Sequence, residues 1–176
     1  MEIHADQAAA NGNQGAGAVV AVLDAGCNMN HLDVKPNILT AFATSFVPGE
    51  GAQTTHPGFN HGTNVSGIIA AAINNIGTQG AIRKRHRGLR DRSGWPRRFR
   101  LPRVVQQLGT SGYFFAAGTS MGTPAVSGVA ELIVGKYGHM PPSQLKARLA
   151  QSAANIGADA FFGRGRVDAL AATTGN

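Results

Sequence analysis

Residues 17–23 read GAVVAVL, seven residues with three valines and no charge. The fold class turns on how this run is read. A short, unbroken apolar run rich in β-branched side chains suits a strand buried on both faces, the setting of a parallel sheet. It stops at Asp24, and AGCN over 25–28 follows as a turn. Downstream, Val65, Ile68, Ile69, Ala72 and Ile73 are spaced i, i+3, i+4, i+7 and i+8, which predicts an amphipathic helix over 61–73. NNIGTQG over 74–80 then breaks the period. YFFAA over 113–117 predicts a second strand. A long helix is expected from about 120 to 137, with Val126, Val129, Ala130, Ile133 and Tyr137 on one face. Another amphipathic helix is expected over about 143–153, after MPP. Strands alternating with helices imply an α/β fold, a parallel sheet flanked by helices.

The 176 residues suit a single domain, and the net charge of +7 is local. Residues 81–103, AIRKRHRGLRDRSGWPRRFRLPR, hold ten of the sixteen Lys and Arg residues and one acid, Asp91. The remaining chain has six basic and eight acidic residues, so it is mildly acidic. Ten clustered charges attract polyanions without specificity. As a dedicated nucleic-acid element the segment is poor: its aromatic stacking partners are Trp95 and Phe99, and it matches no named module. A single cysteine, Cys27, excludes an internal disulfide and a cysteine-based zinc site. His4, His31, His56, His86 and His139 are scattered, with no helical metal-ligand spacing. No run approaches the length of a membrane-spanning helix, and the start, MEIHADQAAANGNQG, lacks a charged-then-apolar export layout.

Three polar residues stand at element ends. Asp24 ends the apolar run, His61 opens one helix and Ser120 opens another. Residues at such ends are often simple caps. They are also where an α/β sheet gathers its site, at strand carboxyl ends and helix N-termini. Serine needs a base, because its hydroxyl is scarcely ionised at neutral pH. The base in turn needs a carboxylate to fix its tautomer and stabilise the imidazolium.

The flanking residues decide between these readings. VAVLDAG with NHLD behind it, HGTNVSGIIAA, and AGTSMGTPAVSGVAELI resemble the three signature segments of the subtilisin-like serine proteases. The closing GRGRVDALAA resembles that family's C-terminal stretch, so the likeness covers about 5–80 and 104–176. The resemblance implies a serine endopeptidase of parallel α/β fold, acting on peptides or proteins as a monomer, exported and without a cofactor. It implies that Asp24 orients the base, that His61 is general base and then general acid, and that Ser120 is the nucleophile. The backbone N–H of Ser120 would be one oxyanion donor, favoured by the helix dipole. Pro124 is expected in the first turn of the Ser120 helix, where a missing N–H costs little.

Several positions depart from the family pattern. Asn64 stands where a second His is usual, Ser66 where Ala is common, Gly122 for Ala, and Leu32 for Pro. Residues 76–119 contain no Asn, although the family takes an oxyanion donor from an Asn between the His and Ser segments. The interval from His61 to Ser120 is also short for the family. The resemblance therefore implies an incomplete sheet, with 81–103 in place of the central part of the domain. The alternative is a catalytically inactive remnant whose basic segment binds polyanions. INNIGTQG over 73–80 faintly resembles a calcium loop of part of the family, with Asn75 as an oxygen ligand, but it lacks carboxylates.

Overall fold

The structure, a computed structural model, describes residues 3–54, 61–72, 103–105, 113–115 and 118–175. Most of the Arg-rich segment and the 73–80 loop lie outside the described residues, as does the end of the 113–117 run. The helices are α1 (Ala5–Ala10), α2 (His61–Ala70), α3 (Thr119–Tyr137), α4 (Pro142–Gln151), α5 (Asp159–Phe162) and α6 (Ala169–Thr174). Two three-residue strands, β1 (Arg103–Val105) and β2 (Tyr113–Phe115), pair antiparallel with Val104 opposite Phe114.

The core is helical and gathers on α3. Val129, Leu132 and Ile133 are buried against Ala8 of α1 and Ala169 and Ala172 of α6, with Leu145 and Leu149 of α4 packed beside them. Small alanines let the short helices approach α3 closely. Both short helices are tied to one another as well. Ala169 N–H donates to the Ile3 carbonyl at 2.7 Å, and His4 Nδ1 lies 2.6 Å from Asp168 Oδ2. Asp168 also caps α6 by accepting from Ala171 N–H at 2.9 Å. Burial alone would raise the Asp168 carboxyl, but the Ala171 bond and the His4 ring outweigh it and hold it below its ordinary value.

The expected parallel sheet does not form among the described residues, whose one sheet is the antiparallel β1–β2 pair. Residues 17–23 belong to no strand, and among the described residues no backbone group of Val19–Leu23 takes part in a hydrogen bond. Val19 is 72 % exposed and Leu23 86 % exposed. A strand exists only through a ladder with neighbours, and β propensity expresses packing on a pleated surface, not a preference of the lone backbone. Among the described residues no segment lies alongside to supply that ladder. A single parallel bridge, Cys27 to Gln53, follows the run. The described strands are the short antiparallel β1–β2 pair, so the described fold is mainly helical.

The apolar run instead lies along α3. Ala18, Val19, Val20 and Ala21 face Ser127, Ala130, Glu131 and Val134 across a groove of about 310 Å³. The Glu131 Oε2 atom is buried there with no hydrogen-bond partner, and burial pushes the carboxyl up to about 7.

Helix α3 begins at Thr119, one residue before the expected start, and runs to Tyr137. Val129 and Ile133 are buried as the spacing predicts, whereas Val126 and Tyr137 are exposed. Pro124 is the sixth helical residue, in the second turn and not the first. Its missing N–H leaves the Ser120 carbonyl without its usual helical donor. In α2 the buried side is Gly62, Thr63, Asn64, Ser66, Gly67 and Ile69, while Val65 and Ile68 are half-buried. Small and polar residues line it because α2 packs against α3 and against the turn after Asp24.

Candidate active site

Asp24 sits where the apolar run ends. Its Oδ1 accepts from the Ala25 N–H at 2.8 Å, which fixes the carboxyl over the turn. Its Oδ2 lies 2.6 Å from Nδ1 of His61, the first residue of α2. A carboxylate can only accept, so Nδ1 is the donor of this pair, and in the neutral ring Nε2 is then the acceptor. The Asp24 side chain is 14 % exposed and that of His61 is 52 % exposed. The carboxylate is thus shielded behind a ring whose other edge faces solvent. That is the arrangement a proton acceptor needs.

Close packing brings the two together. Gly62 lies against the turn so tightly that a Cβ there would run into the Gly26 carbonyl oxygen and touch the Asp24 side chain. Only glycine permits this approach at position 62. Thr63, fully buried, accepts from the Asn28 N–H at 2.8 Å, and the Cys27 thiol donates to Ser66 Oγ at 3.8 Å. From the other side, Cys27 N–H donates to Ala52 O at 3.0 Å and Thr54 N–H to Cys27 O at 3.1 Å. Gln53 Oε1 accepts from Met29 N–H at 2.9 Å. The turn is thus clamped between α2 and residues 52–54.

The surroundings of Cys27 disfavour its thiolate. Burial pushes its thiol up, the hydroxyls of Ser66 and Thr63 offset this only in part, and the nearby Asp24 charge adds to the rise.

Ser120 lies in the first turn of α3, half-buried, just after Gly118, whose φ is 157°. Helix α3 packs against α2, the helix that carries His61. Among the described residues the Ser120 hydroxyl makes no hydrogen bond to His61. The direct side-chain contact is the one between Asp24 and His61. Asn64, at the departure from the family pattern, has a buried Oδ1 with no hydrogen-bond partner.

The sequence singles out Asp24, His61 and Ser120 but gives no sign of Thr63 or Gln53. The roles of those two depend on a contact between segments far apart in the chain. The calcium reading of 73–80 falls outside the described residues. Among the described residues no helix is long and apolar enough to cross a membrane.

Comparison with known proteins converges on one family. The model of the subtilase family, peptidase S8, matches residues 15–89 and 93–165. The match enters the Arg-rich segment from both sides and is interrupted at 90–92. Subtilisin BL of Lederbergia lenta is 41% identical over 78 residues, which is 44% of this chain and 26% of that protein. Subtilisin DY of Bacillus licheniformis is 42% identical over 55 residues, covering 31% and 20% of the two chains. A thermostable alkaline protease of Halalkalibacterium halodurans is 28% identical over 140 residues, 70% of this chain and 39% of that one. The chain thus spans well under half the length of these curated relatives. With the family match extending over most of its residues, this chain belongs to the subtilase family of serine proteases.

Proposed function

We propose that the chain is a serine endopeptidase module that hydrolyses peptide bonds through Asp24, His61 and Ser120, at a reduced rate. The observation that carries this reading is the 2.6 Å contact between His61 Nδ1 and Asp24 Oδ2, which makes Nδ1 the donor and, in the neutral ring, Nε2 the acceptor. In the proposed mechanism Nε2 takes the Ser120 proton as Oγ attacks the peptide carbonyl carbon. His61 then returns that proton to the leaving amine, and the C–N bond breaks. Water, deprotonated by the same ring, hydrolyses the acyl ester and restores Ser120. Asp24 stays ionised throughout and holds the ring. The backbone N–H of Ser120 donates to the oxyanion, aided by the dipole of the 19-residue α3.

Peptides or proteins are the proposed substrates, with water as co-substrate and no cofactor. Some relatives act outside the cell: an extracellular serine protease of Aeromonas sobria is 41% identical over 66 residues. We extend that location, and a monomeric state, to this chain as part of the proposal.

The reduced rate follows from the absence of Asn between 76 and 119. One oxyanion donor is worth on the order of 10²–10³ in turnover, a figure whose standard example is a subtilisin. The test is release of product from a peptide amide, compared with His61→Ala. Slow hydrolysis that vanishes in the variant supports the proposal. Equal rates in the two proteins would instead favour an inactive remnant whose basic segment binds polyanions.

A further inference from the structure

We infer that Thr63 is a positioning residue, whose hydroxyl sets the Asp24 carboxylate against His61 by clamping the intervening turn to α2. The inference rests on the proposed role of the Asp24–His61 pair. Thr63 is fully buried, and its Oγ1 accepts from the Asn28 N–H at 2.8 Å. Asn28 is four residues beyond Asp24 and Thr63 two beyond His61, so this bond closes a small ring on the catalytic side of α2.

Alternative anchors of the turn lead elsewhere. Cys27 N–H and Gln53 tie it to residues 52–54, a segment that carries no part of the proposed site. Those ties hold the turn to 52–54 and not to α2. The Cys27–Ser66 contact is a long thiol bond at 3.8 Å, weaker than a hydroxyl accepting from an amide. Gly62 leaves the turn close to α2 but offers no side chain to hold it. Thr63 is therefore the group on α2 whose loss lets the turn slide, and a displacement of a few tenths of an ångström degrades a bond as short as 2.6 Å.

The test is the His61 ring itself, followed by NMR in the full chain, in Thr63→Val and in Thr63→Ser. Valine keeps the shape and removes the acceptor; serine keeps the acceptor. In Thr63→Val the downfield Nδ1 proton of His61 is expected to move upfield. Thr63→Ser is expected to keep the Nδ1 proton resonance of the parent. A merely structural role would lower the melting temperature and leave that resonance in place. Unchanged His61 signals in folded Thr63→Val would overturn the inference. So would their loss in Thr63→Ser, which serves as the deciding variant should the valine protein not fold. None of these signals involves Ser120. Failure of Ser120 to react while the His61 signals stand would therefore count against the proposed function and not against Thr63.

Discussion

Glu131→Gln is expected to melt about 4 °C above the parent at pH 8.5 and at the same temperature at pH 4. Glu131 occupies the middle of α3, on the side that faces the 18–21 run, and its Oε2 has no partner. Burial raises its carboxyl from 4.5 to about 7 in the folded chain. Because the folded value lies above the unfolded one, the folded state holds the proton more tightly. The resulting stability is complete below pH 4.5 and is lost as pH rises through 7. A shift of this size corresponds to about 3 kcal/mol if taken whole. The carboxyl is only half-buried and water screens it, so roughly 1–2 kcal/mol is the expected cost at alkaline pH. Glutamine cannot ionise and removes that cost while keeping the shape. Other groups titrate alike in the two proteins, so the difference between their melting curves isolates Glu131. A pH-independent difference would show that Glu131 is solvated in the folded chain.

Leu132→Ala is expected to cost about 3 kcal/mol, measured as a shift in the urea midpoint. Leu132 is fully buried at the centre of the helical core, and its carbonyl accepts from Asn13 Nδ2 at 2.9 Å. Its buried neighbours on α1 and α6 are Ala8, Ala169 and Ala172, side chains too short to move into the space left. The cavity therefore stays open, and the full cavity penalty applies on top of the lost transfer energy. Domains of this size are stable by only about 5–15 kcal/mol, so one such change removes a large share. Val126→Ala, on the exposed side of the same helix, is expected to change stability by less than about 0.5 kcal/mol. Equal effects at the two positions would mean that α3 is not packed as described.

What the sequence makes legible is what a short stretch can determine alone. The helix over 119–137 follows from its apolar spacing, and α4 from the period after MPP. Asp24 and His61 are visible because motif residues flank each of them, and the structure brings their side chains together. The run 17–23 has every local mark of a buried strand, yet it is largely exposed and, among the described residues, unpaired. Burial on two faces requires neighbours, and no property of the run can reveal whether neighbours exist. Helices α1 and α6 escape the sequence reading for the opposite reason. Each has six residues rich in alanine, too short to show a period, and each forms because α3 offers it a face. The second His–Asp contact, His4 with Asp168, joins residues 164 positions apart and leaves no local trace.

In the proposed mechanism His61, oriented by Asp24, makes Ser120 a nucleophile. The direct measurement is covalent labelling of the full chain by an active-site-directed phosphonate, with the modified residue located by mass spectrometry. Stoichiometric modification of Ser120 is expected, lost in His61→Ala and slowed at least tenfold in Asp24→Asn, which leaves the ring with the wrong tautomer. A folded parent chain that stays unmodified, or one labelled equally well without His61, would contradict it.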